Sequence, residues 1–294
     1  MHKVLLVSVV AFCAACGPQI AQSGSTAATA PTTAQIEQRL EVRLTQDPNR
    51  AMCDEIVAGF RAGNADAAKP HFDFAAFVER VVSSPTVPEA LRARLRANPS
   101  GPQEFGRVHT PPGWQFRCLG TRALRGEDYL AIRLWGPTKF SYLMFHLSGP
   151  RAARRIDDYY SVDTGIVNST AQQFGFDPQF AEASIRIGEM YQLSYEHNFT
   201  AIIQSFRQLP GAIQNEPVAF GHFVNAVYAS EQTGSVLYNE ATNRMRQVYG
   251  DNIYTLAYWE LADGNRRGDR AAATRARDRL IELLDDAELL GAVR

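Results

Sequence analysis

The sequence predicts an α+β protein in which helices come first, an antiparallel sheet follows, and further helices complete the chain. Two observations lead to this prediction. Between Gly113 and Gly165, four segments of strand length are separated by glycine and proline, and two of them alternate regularly between two sets of side chains. On both sides of this region, apolar residues recur at helical spacing. Helices followed by a run of antiparallel strands indicate that the helices pack on one face of the sheet.

Composition and motifs exclude several classes of function. The chain has 294 residues and a formal net charge of −1, and no block of Lys and Arg is interleaved with aromatic residues, so nothing predicts nucleic-acid binding. The sequence contains no nucleophile elbow, zinc-protease, P-loop or dinucleotide-binding fingerprint. It therefore indicates no catalytic residue, no cofactor and no metal, and it leans away from an enzyme.

The first sixteen residues have the pattern of an export signal. A short basic start precedes an apolar run over residues 4–12 that is too short to span a bilayer. Small residues then precede Cys16, which resembles the lipobox of bacterial lipoproteins, although Cys13 stands where leucine is usual. This resemblance implies a signal peptide over residues 1–16 and lipidation of Cys16. The alternative is an ordinary secretory signal cleaved near Ala15, which leaves a soluble periplasmic protein.

Residues 17–33 are expected to be a flexible tether. They are rich in Ala, Ser, Thr and Gln and have no apolar period, so they cannot bury enough surface to offset the entropy of ordering. With acyl chains on Cys16, the protein is anchored to a membrane and faces the periplasm of a bacterial cell envelope. Resemblance to lipoproteins with Gly17 after the cysteine implies the outer membrane.

Two cysteines remain outside the export signal, Cys53 and Cys118. In an oxidising compartment they could form a disulfide bond, which would close a long loop. They could equally be two separate buried thiols that pack as small hydrophobic groups. Neither has a second cysteine or a histidine at the spacing of a metal site, so metal binding is not expected.

The region before the strands is predicted to contain four helices. Asp47-Pro48, Gly63-Asn64 and Ser84-Pro85 separate them, and Pro88 opens the last one. Residues 99–112 are expected to form a loop, with a short edge strand over residues 105–109. The apolar stripes that predict the helices are Ile36-Leu40-Leu44, Met52-Ile56-Phe60, Phe74-Phe77-Val81 and Leu91-Leu95.

The two alternating strands have one aliphatic face and one aromatic face. Leu130, Ile132, Leu134, Leu143, Phe145 and Leu147 form the first. The second, hereafter the aromatic face, is formed by Tyr129, Arg133, Trp135, Tyr142 and His146. It is either a patch for a protein partner or the floor on which the C-terminal helices pack. We favour the floor, because so aromatic an open face promotes aggregation. We expect helix Pro178–His197, through Phe180, Ile187 and Tyr191, to cover it and to bury Trp135.

The last strand is expected to point two polar residues toward the first helices. Strict alternation puts Asp158 and Tyr160 on one face with Ile156 and Val162. If those aliphatic residues join the aliphatic face, Asp158 and Tyr160 point into a cavity between sheet and helices. Burial would then raise the pKa of Asp158, and the carboxyl could act as a proton shuttle. We favour a satisfied buried acid, because no second acid, histidine or metal cluster converges with it in the sequence.

The order of elements, with a final strand reading RIDDYYSVDTG, resembles the NTF2-like (cystatin-like) fold. More closely, it resembles bacterial proteins of unknown activity that join such a domain to TPR-like helices. Those proteins carry an Asp-x-Tyr on the last strand, then a glycine and a serine, matched here by Asp158, Tyr160, Gly165 and Ser169. Ile166 stands where an acid is usual. The resemblance covers roughly residues 50–170. Some NTF2-like enzymes use an Asp base and a Tyr donor in their cavity.

Beyond Ser169 the sequence predicts helices only. Gly234 and Gly268 lie 34 residues apart, which is the TPR period. Gly268-Asp269 followed by Ala273 resembles a TPR turn with the small residue at which two helices touch. Ala257 and Leu261 stand where the TPR consensus has Trp and Gly, so at most two TPR-like hairpins are expected.

These observations predict two folded domains, an NTF2-like α+β domain over residues 34–168 and a TPR-like helical domain over residues 169–294. The function that we expect is that of a non-catalytic envelope lipoprotein acting as a protein-interaction or scaffold module. The alternative is a small-ligand-binding or isomerase-like protein that uses a cavity near Asp158 and Tyr160.

Overall fold

The structure, a computed structural model, describes residues 31–99, 113–136 and 140–293. The expected signal peptide, the lipidation site Cys16, most of the tether and the short edge strand at 105–109 lie outside these residues. Within them the fold is α+β, with a four-stranded antiparallel sheet between two groups of helices. No helix in these ranges is both long enough and apolar enough to cross a bilayer.

Residues 31–99 form four α-helices before the sheet, as the sequence predicts: α1 (Thr33–Gln46), α2 (Arg50–Arg61), α3 (Phe74–Val82) and α4 (Glu89–Ala97). The first begins with a capping box, in which the Thr32 hydroxyl accepts from the Gln35 N–H and the Gln35 side chain accepts from the Thr32 N–H. The apolar stripes of α1 to α3 are buried in one cluster with residues of the sheet, except for Met52 and Phe74, which are partly buried against it.

The strands β1 (Gln115–Leu124), β2 (Glu127–Trp135), β3 (Phe140–Ser148) and β4 (Arg155–Ser161) pair in sequence order. Directly opposed residues confirm the two faces: Ile132 pairs with Leu143 on the aliphatic face, and Arg133 pairs with Tyr142 on the aromatic face. On the aliphatic side the structure joins Cys53 of α2 to Cys118 of β1 by a disulfide, with Cα atoms 5.7 Å apart.

The expectation for Asp158 and Tyr160 is wrong, because β4 contains a bulge. Leu147 pairs with Ile156, and the next pair is His146 with Asp158, so Asp157 is an extra residue in the ladder. One added residue reverses the alternation. Ile156 therefore stays on the aliphatic side, whereas Asp158 and Tyr160 lie on the aromatic face opposite His146 and Met144.

Seven helices follow the sheet within the described residues: α5 (Asn168–Phe176), α6 (Ala181–Tyr195), α7 (Phe199–Arg207), α8 (Pro217–Ser230), α9 (Val236–Tyr249), α10 (Ile253–Arg267) and α11 (Arg270–Leu284). Short 3-10 turns at Pro178–Phe180, Ile213–Asn215 and Ala287–Gly291 lie between or after them.

The last six helices form three consecutive pairs, and one turn design recurs in all three. A residue with positive φ ends the turn: His197 (φ 55°), Gly234 (φ 86°) and Gly268 (φ 68°). The next residue caps the second helix of each pair, since Asn198, Ser235 and Asp269 accept the N–H three residues on at 3.2, 3.1 and 2.9 Å. The two glycines that the sequence singled out are thus equivalent turn positions, and His197 occupies a third.

The hydrophobic side chains form two clusters. The first joins α1, α2, the sheet and the last helices α10 and α11; the second lies among α6 to α10. Packing therefore does not divide at residue 169, because the C-terminal helices share the core of the sheet. The division into two domains stays a prediction.

Helix α6 does not cover the aromatic face as predicted. Its buried residues Ile187 and Met190 belong to the second cluster, and Tyr191 is 54% exposed. The face is contacted instead by the C-terminal region: the Tyr258 ring of α10 lies 5.3 Å from that of Phe140, whose ring in turn stacks on the partly buried Trp135. The prediction chose α6 because this helix follows β4 closely in the chain. The apolar side of α6 is, however, already buried in the second cluster, so it is not available to cover the sheet.

Candidate functional site

The structure brings the aromatic face and the suspected pocket residues together on one side of the sheet. At one end lie Arg133, Trp135 and Tyr142, and at the other lie Tyr129 and His146, beside Asp158 and Tyr160. The rings of Tyr129 and Tyr160 are 5.7 Å apart and meet edge to face. Different segments of the chain contact the two ends.

At the Arg133 end, the C-terminal segment supplies a buried acid. Asp286 caps the final 3-10 turn, and its carboxylate accepts from the Arg133 guanidinium at 2.7 Å and from the Tyr142 hydroxyl at 2.9 Å. All three side chains are at least 95% buried. Burial, reinforced by the charge of Asp286, raises the pKa of Tyr142. The Asp286 carboxylate thus has both oxygens engaged, while the buried Nε of Arg133 forms no hydrogen bond. The pair joins the C-terminal segment to the sheet, and removing either partner would leave the other charge buried without its counterpart.

Its neighbour Asp285 holds the same segment to the first helix. The Asp285 carboxylate lies 3.1 Å from Arg39 and 2.8 Å from Arg43, both on α1, and 3.7 Å from Arg122 of β1. Arg122 also donates to the Leu284 carbonyl at 2.7 Å, and burial lowers its pKa to about 10. Three arginines thus converge on one carboxylate, which lies between the first helix and the sheet.

At the other end of the face, His146 lies between a buried acid and an arginine. Its Nδ1 is hydrogen-bonded to the carboxylate of Asp157, the extra residue of the bulge. Arg80 of α3 donates to the other oxygen of Asp157 at 2.9 Å, and its Nη2 lies 3.0 Å from His146 Nε2. Burial would raise the pKa of Asp157, but the bonds from His146 and Arg80 hold it below its usual value.

The outer side of this cluster is partly open to solvent. Glu127 is half exposed, and its carboxylate accepts from the Tyr129 hydroxyl at 3.2 Å and lies 3.6 Å from His146 Nε2. Burial, with Glu127 beside it, raises the pKa of Tyr129. A histidine oriented by an acid can transfer protons when a substrate reaches its free nitrogen. Here Arg80 and Glu127 lie against that nitrogen, and the ring is 95% buried.

The four residues Asp158, Tyr160, Gly165 and Ser169 lie where the sheet joins the helices. The Asp158 carboxylate accepts from the Ser169 hydroxyl and from the Ser169 N–H at 3.2 Å. The Tyr160 hydroxyl lies 3.5 Å from the Asn252 side chain, just before α10. Gly165 has φ 67°, and a Cβ there would lie 2.8 Å from the Tyr249 ring of α9. The pattern therefore describes a junction between parts of the chain.

Burial raises the pKa of Asp158, and the hydrogen bonds from Ser169 and the Tyr159 N–H oppose that rise. The acid is 99% buried and its oxygens are engaged, which agrees with the satisfied-acid interpretation rather than with a free base.

The sequence did not identify Arg80, Glu127, Asp157, Asp285 or Asp286. Arg80 lies on the polar side of a predicted helix, where an arginine is ordinary. The one sequence signal for Asp285 and Asp286 was their position at the end of a predicted helix. Helix C-termini disfavour negative charge, so two adjacent acids there indicate cationic partners elsewhere in the fold. Among the described residues, no group of three or more His, Cys, Asp or Glu is arranged to hold a metal ion.

Comparison with known proteins adds nothing to this geometry: no protein-family model, no curated protein and no solved structure matches the chain.

Proposed function

We propose that this protein is a non-catalytic lipoprotein of the bacterial cell envelope that serves as a protein-interaction or scaffold module. The observation that supports the proposal best is the use of charged side chains on the aromatic face. Arg133, His146 and Asp158 each bond to a residue that other packing interactions hold in place. Their charged groups thus form hydrogen bonds that join different parts of the chain, and they are not available to a substrate.

The architecture that we propose is an NTF2-like domain followed by TPR-like helices. Four helices before a four-stranded antiparallel sheet support the first part. Three helix pairs with one turn design support the second, one pair more than the sequence predicted. Close helix contact at Gly264, where a Cβ would lie 2.6 Å from the Ala273 nitrogen, fits the small-residue crossing of such hairpins.

Stacked helix pairs offer long exposed surfaces, which is why repeat proteins so often bind other proteins. On α6, Ile185 is 65% exposed and Tyr191 is 54% exposed. Apolar side chains of this size in solvent are the type of residue that a partner would bury. The outward side of α6 thus supports an interaction role.

The alternative, a ligand-binding or isomerase-like protein, is based on Asp158 and Tyr160. Both are at least 99% buried, and neither lines the surface groove along α1 or the one between the loop after α3, α5 and α8. The raised pKa of Asp158 is the observation that favours this alternative. It is the weaker candidate, because the Asp158 carboxylate already accepts a hydrogen bond from the Ser169 hydroxyl, and a substrate would have to replace that bond.

Crosslinking in membranes of the native host, followed by purification of the full chain, tests the proposal. We expect one or a few envelope proteins to be enriched over a bait with the same signal peptide and tether but an unrelated folded domain. Enrichment equal to that control bait would contradict the proposal. Turnover of a small molecule that Asp158→Asn abolishes without loss of folding would favour the alternative.

A further inference from the structure

We propose that a groove beside α5 binds a basic side chain, arginine or lysine, from a protein partner. The inference is based on the proposed function and adds the place and chemistry of the contact. The groove has a volume of about 250 Å³. It lies between the loop after α3, helix α5 and the 3-10 turns before α6 and α8. Phe174, Phe180, Asp177 and Glu216 are among its lining residues.

Two stacked aromatic rings form one side of the groove. Phe174 and Phe180 have ring centroids 5.0 Å apart and planes within 4° of parallel. The Ser184 hydroxyl donates to the Phe174 carbonyl at 3.1 Å, which holds the end of α5 to the start of α6. Each ring covers one face of the other, so a flat cation such as guanidinium would lie against an outer ring face. That attraction is worth roughly 0.5–1 kcal/mol when exposed and more when desolvated.

Two acids line the same groove. Asp177 is 96% buried, and one carboxylate oxygen accepts the Gln179 N–H at 2.9 Å. Glu216 is exposed at the start of α8, and it forms no ion pair within the part of the chain that the structure describes. The groove therefore combines aromatic surface with negative charge, and this combination selects a cation over a neutral or acidic group.

The surrounding helices add to this negative charge. Residues 168–230 contain five acids and two arginines, whereas the whole chain is nearly neutral. Arg186 is 3.3 Å from Glu182, and Arg207 is 3.2 Å from Glu240. Both arginines are thus engaged away from the groove.

Two further arginines flank the groove: Arg92 donates to the Ser84 and Pro85 carbonyls, and Arg244 donates to the Gln214 carbonyl and the Asn215 side chain. Among the described residues, their ion pairs are with Glu89 and Glu240, so Asp177 and Glu216 remain the charges that a basic partner side chain would meet in the groove.

The size of the groove favours a side chain over a free small molecule. Pockets for small molecules usually measure about 300–1,000 Å³, and this groove is smaller and open. A single arginine or lysine side chain of a docked protein needs less room, because the rest of the contact lies outside the groove.

The test is a titration of the full chain, isotopically labelled at phenylalanine, with acetyl-Gly-Arg-Gly amide. We expect millimolar binding with shifts at Phe174 and Phe180, and none with the citrulline peptide, which has nearly the same shape but no charge. Glu216→Lys should weaken binding roughly tenfold, because it replaces attraction by repulsion. Glu189→Lys is the matched control, since it makes the same charge change on exposed α6 outside the groove.

Three results would overturn the inference. The first is equal chemical shift changes with the citrulline peptide. The second is an equal loss of binding in Glu189→Lys, which would mean that the general negative charge of this surface, and not the groove, attracts the peptide. The third is a dimer of the chain that Glu216→Lys dissociates, which would identify a second copy as the occupant.

The membrane crosslinking experiment separates this inference from the proposed function. If Glu216→Lys and the unchanged protein capture the same partner equally well, the proposed function is supported, but the groove is not the place where the partner binds. Capture of no partner by either protein removes the proposed function, while the peptide titration still reports on the groove.

Discussion

The Ser169 hydroxyl and the Ser169 N–H both donate to the carboxylate of Asp158. These bonds join the two ends of the loop that leads from the last strand into the helices. They also satisfy the carboxylate of Asp158, which is buried. The connecting residues between Asp158 and Ser169 contact the helical region as well, since the Tyr249 hydroxyl donates to the Thr164 carbonyl at 2.9 Å. The loop after β4 is therefore packed and hydrogen-bonded between the sheet and the helices.

Gly165→Ala tests how tightly this loop is packed. We expect a loss of about 2–4 kcal/mol in the free energy of unfolding, because positive φ disfavours alanine and the new Cβ would meet Tyr249 and Thr255. Gly234→Ala is the matched control: its φ is also positive, but no atom lies within 4 Å of the added Cβ. Equal losses for the two variants, measured by urea unfolding, would show that the close packing contributes nothing.

Removal of the disulfide should cost about 4 kcal/mol. Cys53 and Cys118 are 65 residues apart, and a crosslink over such a loop restricts the unfolded chain by that amount in the chain-entropy model. Cys53→Ala/Cys118→Ala should unfold at lower denaturant than the oxidised protein and close to the protein kept reduced. Labelling of both thiols in the native protein before reduction would contradict the bond itself.

Asp286→Ala should destabilise the protein by about 3–5 kcal/mol, because it leaves the Arg133 guanidinium buried without its acid. Asp54→Ala is the control, since Asp54 and its partner Arg50 are well exposed, and the expected cost is below about 1 kcal/mol. Urea unfolding measures both. Adding Arg133→Met to Asp286→Ala should recover part of the loss. A double variant less stable than Asp286→Ala would refute the buried-charge explanation.

Asp157 should make stability depend on acid pH. Its pKa is lower in the folded protein than the ordinary value of 3.8, so the folded state binds this proton less readily than the unfolded state does. The stabilisation is complete above pH 3.8 and disappears as the pH falls through the folded pKa. We therefore expect Asp157→Asn to be less stable at neutral pH and the difference to shrink in acid.

Unfolding by urea between pH 7 and pH 2.5 measures this difference for Asp157→Asn and for Asp54→Asn, an exposed acid, as the control. A difference between the unchanged protein and Asp157→Asn that stays constant across this range would contradict the assigned role of Asp157.

The proposed lipidation of Cys16 predicts where the protein is found in the cell. Cys16→Ala should move it from the membrane to the soluble periplasmic fraction, because it removes the residue on which the proposed acyl anchor depends. Cys13→Leu restores the residue usual at the first lipobox position, and it should leave the protein in the membrane. Fractionation that Cys16→Ala leaves unchanged, with no acyl mass on the mature N-terminus, would rule out the anchor.

Features that depend on near neighbours in the chain could be predicted from the sequence alone. Strand alternation defined the two faces of β2 and β3, and apolar stripes with proline and glycine boundaries defined the first helices. The spacing of Gly234 and Gly268 located two equivalent helix turns. These features are local, because strand and helix periods repeat within a few residues and a turn needs a residue that tolerates positive φ.

The contacts between distant segments could not be predicted from the sequence, because they depend on the packing of the whole fold. One extra residue, Asp157, moved Asp158 and Tyr160 to the aromatic face, and a bulge of this kind leaves no periodic signal in so short a strand. Asp286, 153 residues after Arg133, supplies the acid that the sheet needs, although α6 follows the sheet more closely in the chain. Local patterns show that a face must be covered, but the covering segment is selected by the packing and charge pairing of the whole fold.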